Sequence, residues 1–110
     1  MIIRAIVLFV LLVSFIATFV AGAASTNTCY KNSNGFNCCD KNLEASMRSS
    51  IGGKDLVKSA GNIQNGAQRK LGGKFEAVVA LDDFAYKSHF KEGKTCKISK
   101  NGQYAMAWQP

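Results

Sequence analysis

Four cysteines, Cys29, Cys38, Cys39 and Cys96, constrain what this chain can fold into more than any other feature. Two are adjacent and the last stands far down the chain. An even number of cysteines in a short exported chain reads as a disulfide framework. Joining Cys38 to its neighbour Cys39 would need a strained ring. The expectation is therefore that one of the two reaches Cys29 and the other reaches Cys96; the spacing leaves open which goes where. In the chain-entropy treatment the long bridge is worth about 4 kcal/mol and the short one about 2–3 kcal/mol. A domain of this size buries only about 60–65% of the surface its unfolded chain exposes, so cross-links matter to its stability. A zinc site would want Cys-x-x-Cys or Cys/His spacing. Adjacent cysteines and a single histidine, His89, do not supply it, and no metal or cofactor is expected.

The disulfide reading depends on export, and residues 1–23 argue for export. Arg4 gives a short positive n-region, and residues 5–20 carry no charge, proline or glycine. Ala21-Gly22-Ala23 then fits the small-x-small rule for signal peptidase, which places cleavage after Ala23. Kept uncleaved, the same apolar run is about the twenty residues needed to span a bilayer core and would be an anchor. Cleaved, it leaves a secreted chain with no stable membrane insertion. Loss of Arg4 lowers the formal charge from +7 to +6.

The remainder reads as one small domain, an irregular stretch over 24–37 followed by a folded unit over 38–110. Asn34-Gly35 is a turn signal. Asp40 is a good helix N-cap, and Leu43, Met47 and Ile51 at four-residue spacing predict a helix over 41–51, ended by Gly52-Gly53. Leu56, Ala60, Ile63, Ala67 and Leu71 predict a second helix over 54–71, weakened by Gly61 and Gly66. Beyond Gly72-Gly73 the pattern becomes β-like. Strands are expected over 75–81, over 84–90 from the alternation of Phe84, Tyr86, Ser88 and Phe90, over 95–100, and over 103–109. Asn101-Gly102 is the strongest hairpin signal. The fold class is α+β: two helices followed by an antiparallel meander of roughly four strands, stapled by two disulfides.

These residues carry a family resemblance. Phe36-Asn37-Cys38-Cys39-Asp40-x-x-Leu43-Glu44-x-x-Met47, then Phe75-Glu76-Ala77-Val78-Val79-Ala80, Asp83-Phe84-Ala85-Tyr86, Cys96 and Tyr104, preceded by Cys29, resemble the ground-like domain of nematode hedgehog-related secreted proteins. The resemblance implies an exported protein that binds Patched-like membrane receptors in cell–cell signalling. It also allows a structural role in apical extracellular matrix or cuticle. It implies no enzymatic activity and no lipid attachment by a self-splicing module.

The residues on their own also point away from catalysis. His89 sits between Ser88 and Phe90, on the side of its strand that carries Lys87 and Lys91, and reads as an exposed strand histidine. Asp82-Asp83 reads as a solvated turn. The glycine pairs lack the strand–glycine–helix setting of a phosphate loop. Lys87, Lys91, Lys94, Lys97 and Lys100 are expected to form one positive face over the last strands, able to attract acidic polysaccharide, anionic headgroups or an acidic receptor loop. An ordinary solvated sheet face with lysine-protected edges is the plainer reading of the same residues. Nucleic acid is not an expected partner. A cationic membrane-disrupting effector is a weaker alternative, because no strongly amphipathic basic helix is present.

Overall fold

The computed structural model describes residues 29–91 and 93–110. The leader expected over 1–23 and the start of the segment after it lie outside the described residues. Seven elements follow in order: β1 (Tyr30–Lys31), β2 (Asn37–Cys38), α1 (Lys41–Ser50), α2 (Leu56–Leu71), β3 (Glu76–Ala80), β4 (Thr95–Lys100) and β5 (Gln103–Trp108). The class is α+β, with two helices and one five-stranded antiparallel sheet among the described residues, in the order β1-β2-β4-β5-β3.

Both helices begin where capping chemistry places them. The Asp40 carboxylate accepts from the N–H groups of Asn42 and Leu43, and the Asp55 carboxylate from that of Lys58. Each satisfies donors that a helix start leaves unpaired. The apolar stripes face inward: Leu43, Met47, Ile63 and Ala67 are fully buried. They pack on the inner side of the sheet against Cys38, Cys96, Ile98, Ala105 and Ala107, with Phe75 closing one end. The helices approach closely at Gly66, where a Cβ would come within 2.9 Å of Ser50 Oγ and 3.0 Å of Ser46 Oγ.

Three expectations are corrected. The segment before Cys38 is not wholly irregular: β1 and β2 form a hairpin whose turn is built on Asn32, which accepts from Gly35 N–H through its carbonyl and from Asn34 and Phe36 N–H through its side chain. Residues 84–90 are not a strand. Nor is the sheet a simple meander, since β5 lies between β3 and β4. The last two corrections share one cause. Residues 103–108 form an almost continuously buried strand, Ala105, Met106 and Ala107 being at most 1% exposed. Such a strand takes an interior place in the sheet, with a partner on each side. The chain leaving β3 must therefore pass across the sheet to reach β4. Residues 81–91 and 93–94 make that crossing as a strap, and its alternation of aromatic and polar residues reflects partial cover of one side, where Phe84 and Ser88 are half-buried, rather than strand pairing. The strap is tied at its far end, where Lys91 N–H bonds the Gln109 carbonyl and Gln109 N–H bonds that of Lys94.

The disulfides join Cys29 to Cys39 and Cys38 to Cys96. The second crosses directly between facing residues of β2 and β4. The adjacent cysteines diverge because Cys38 ends a strand with its side chain turned into the core, while the next residue points the other way.

Candidate interaction surface

The outer side of the sheet, away from the helices, carries Glu76, Val78 and Ala80 from β3, Tyr104, Met106 and Trp108 from β5, and Thr95, Lys97 and Ser99 from β4, as the strand register requires. The strap lies over it, and Lys97 is the pin. Its side chain is 7% exposed. The ammonium sits 4.3 Å from the ring centroid of Phe36, 4.4 Å from that of Phe84 and 5.8 Å from that of Tyr86. It donates to the Phe84 carbonyl at 2.7 Å and pairs with the Asp83 carboxylate. Phe36 also meets Tyr104 edge-on, with centroids 6.2 Å apart. A buried ammonium needs full compensation. Here aromatic faces, one carbonyl and one carboxylate supply it.

Between the strap and the β3 side of the sheet a groove of about 430 Å³ remains. Val78, Ala80, Met106 and Trp108 form its floor, and strap residues 84–88 form its wall. The surroundings are apolar and open to solvent: Val78 is 42% exposed, Tyr86 41% and Leu81 63%. Lys87 stands at the groove. A wider depression of about 470 Å³ lies over β1 and α1, but Glu44 and Arg48 in it are already engaged. Glu44 accepts from Tyr30 Oη at 2.6 Å and from Arg48 Nε and Nη2 at 2.9 and 2.7 Å. Arg48 Nη2 also donates to Asn34 Oδ1 at 2.9 Å. This cluster locks the first hairpin to α1.

The shifted acids are structural in the same way. Burial opposes ionisation of Asp40, but the Leu43 N–H bond and the Lys94 ammonium hold it below the ordinary carboxylate range. Burial also opposes ionisation of Glu44, and its bonds from Tyr30 and Arg48 again prevail. The Lys97 ammonium lowers Asp83. The Tyr30 phenol is pushed well upward by burial and then by its bond to Glu44.

The five lysines expected on one face are dispersed, which corrects that expectation. Lys97 is buried in the aromatic cage. Lys94 pairs with Asp40 at 3.1 Å, and Lys100 Nζ donates to the Arg48 carbonyl near the end of α1 at 2.7 Å. Lys87 and Lys91 remain exposed on the strap. Strand parity alone does not reveal this, because Lys97 is buried by a strap whose alternation predicts a strand. Phe36 as a cage wall and Asp83 as the partner of Lys97 were missed for the same reason; the one sequence signal was Phe84 and Tyr86 closely following an aspartate. His89 is exposed on the strap, not on a strand.

The fold and its surface thus define a disulfide-stapled α+β domain whose open feature is an apolar groove beside a pinned strap. A family model for the Ground-like domain matches residues 35–108, and the chain belongs to that family. No curated protein matches the chain. The residues that carry the resemblance have structural assignments in this chain. Cys38 and Cys39 hold the two bridges, Asp40 caps α1, Leu43 and Met47 fill the core, Glu44 locks the hairpin, and Asp83, Phe84 and Tyr86 secure the strap.

Proposed function

We propose that this protein is exported, cross-linked by its two disulfides outside the cell, and acts without catalysis as a ligand or modulator of a Patched-like membrane receptor. Export is supported by the leader-like residues 1–23 and by two disulfides, which persist in oxidising compartments. Among the described residues no helix is long and apolar enough to cross a membrane. A binding role is supported chiefly by one observation, the groove between the strap and the outer sheet face. It is concave and mostly apolar, with a lysine at hand, and that composition suits an inserted aromatic or aliphatic anchor from a partner. The absence of a catalytic role is supported by the engagement of Asp40, Glu44 and Asp83 in caps and ion pairs. The matrix alternative leaned on a continuous basic face, and the dispersed lysines do not favour it.

The test is binding of the purified, disulfide-intact protein to cells displaying candidate Patched-like receptors. Saturable binding is expected, and it should be lost in Ala85→Arg, which blocks the groove from an exposed strap position. A complete lack of saturable binding would overturn the receptor reading. Retention of a tagged copy in insoluble matrix would favour the structural role instead.

A further inference from the structure

The two ends of the sheet are treated differently. β1 is two residues long and ends on Lys31. Short length and lysine are both devices that keep a sheet edge from pairing with another chain. β3 has neither. It runs Glu-Ala-Val-Val-Ala without proline, lysine or glycine, and it pairs with β5 in five consecutive register positions from Glu76↔Trp108 to Ala80↔Tyr104. Among the described residues β5 is its only strand neighbour. Its far side therefore presents a straight row of backbone donors and acceptors, flanked by the exposed side chains of Val78 and Leu81.

A second copy of the chain fits this edge. In antiparallel pairing, facing residues share a side of the sheet, so their numbers must sum to an even value. Three symmetric registers then centre on the middle of the strand, at Ala77, Val78 or Val79. Centring on Val79 sets Glu76 against Asp82 of the other copy, two like charges. Centring on Ala77 sets Lys74 against Ala80 and gains no charge pair. Centring on Val78 sets Lys74 of each copy against Asp82 of the other, twice by symmetry. Lys74 and Asp82 are both exposed, and neither forms an ion pair among the described residues. Charge complementarity thus selects one register.

We propose that β3 is a homodimerisation strand, pairing antiparallel with β3 of a second copy about a two-fold axis at Val78 and joining the two five-stranded sheets into one. The interface is isologous, as a closed dimer requires. Val78 and Ala80 also line the groove, so the two grooves would lie on either side of the axis and present a bivalent surface to a partner.

The experiment is sedimentation equilibrium with light scattering on the disulfide-intact protein across the micromolar range, with circular dichroism to verify folding of each variant. The expected result is a concentration-dependent species of twice the chain mass. Val78→Lys should be monomeric. Lys74→Asp and Asp82→Lys should each weaken dimerisation by on the order of tenfold, because two attractive pairs become repulsive, and combining them should restore it. The charge exchange decides the matter even if Val78→Lys does not fold. A monomer throughout, or a dimer indifferent to the charge exchange, would overturn the proposal. So would a monomer that takes up an extended peptide along β3. None of these measurements needs a receptor, so they stand or fall apart from the receptor reading.

Discussion

Lys97 is held beneath Phe84: its ammonium lies 4.4 Å from the ring centroid and donates a 2.7 Å hydrogen bond to the same residue's carbonyl. One side chain therefore grips both the ring and the backbone of the strap, and Asp83 closes the pair. Lys97→Met keeps the aliphatic volume and removes the charge. It should cost about 2–3 kcal/mol, from lost cation–π contacts and a lost charged hydrogen bond. Urea unfolding measures that loss. Trypsin should also cut faster after Lys87 and Lys91 once the strap is released. Unchanged stability with unchanged cleavage would show that the strap is held by something else.

The two disulfides differ in reach, with sequence separations of 10 for Cys29–Cys39 and 58 for Cys38–Cys96. Cross-links that close longer loops restrict the unfolded chain more. Replacing both Cys38 and Cys96 by serine should cost about 4 kcal/mol or more, since both are also fully buried in the core. Replacing Cys29 and Cys39 should cost about 2–3 kcal/mol. Thermal unfolding of the two double variants separates the effects; an equal loss would count against the loop argument.

Gly61 and Gly66 lie in the same helix, yet they should respond oppositely. A Cβ at Gly61 meets nothing within 4 Å, so Gly61→Ala should stabilise by roughly 0.5–1 kcal/mol through helix propensity alone. A Cβ on Gly66 would stand 2.9 Å from Ser50 Oγ of α1, closer than real Cβ atoms come, and a tight 3.0 Å from Ser46 Oγ. Gly66→Val should force the helices apart and cost about 1–3 kcal/mol. Chemical denaturation of both variants reads the contrast, and a stabilising Gly66→Val would contradict the close approach.

Acid should unfold the protein through three carboxylates. Asp40, Glu44 and Asp83 all have folded-state values below their ordinary ones. A depressed carboxylate contributes stability above its unfolded value and loses it as the pH falls through the folded value. Tm should hold near neutrality and drop below about pH 4, where unfolded carboxylates begin to take up protons. The raised Tyr30 phenol works in the opposite sense: its contribution is present below the unfolded value and is lost as the pH climbs above about 10. Asp40→Asn should flatten part of the acid slope while retaining a usable cap. A Tm rising on acidification would refute the sign.

Much of this architecture is legible in the linear chain because its causes are local. Asp40 caps a helix through groups two and three residues away. Leu43 and Met47 share a face by helical period alone, and Asn101-Gly102 turns because both positions accept positive φ; Asn101 adopts +52° and Gly102 +79°. The cysteine framework is legible too, since adjacent cysteines must seek separate partners. Which partner each takes, by contrast, depends on which way Cys38 points in a strand set between β1 and β4. The place of β5 between β3 and β4, the strap that begins at Leu81 and the burial of Lys97 are likewise tertiary outcomes. Alternation in the sequence reports that one side of a segment is covered, and a sheet neighbour or a sheet face crossed at an angle can do the covering equally well. The chain by itself determined a stapled α+β domain with two capped helices. Only packing decided that one lysine of the expected basic face would become the buried pin of the strap, and that an apolar groove and a bare β3 edge would be left open beside it.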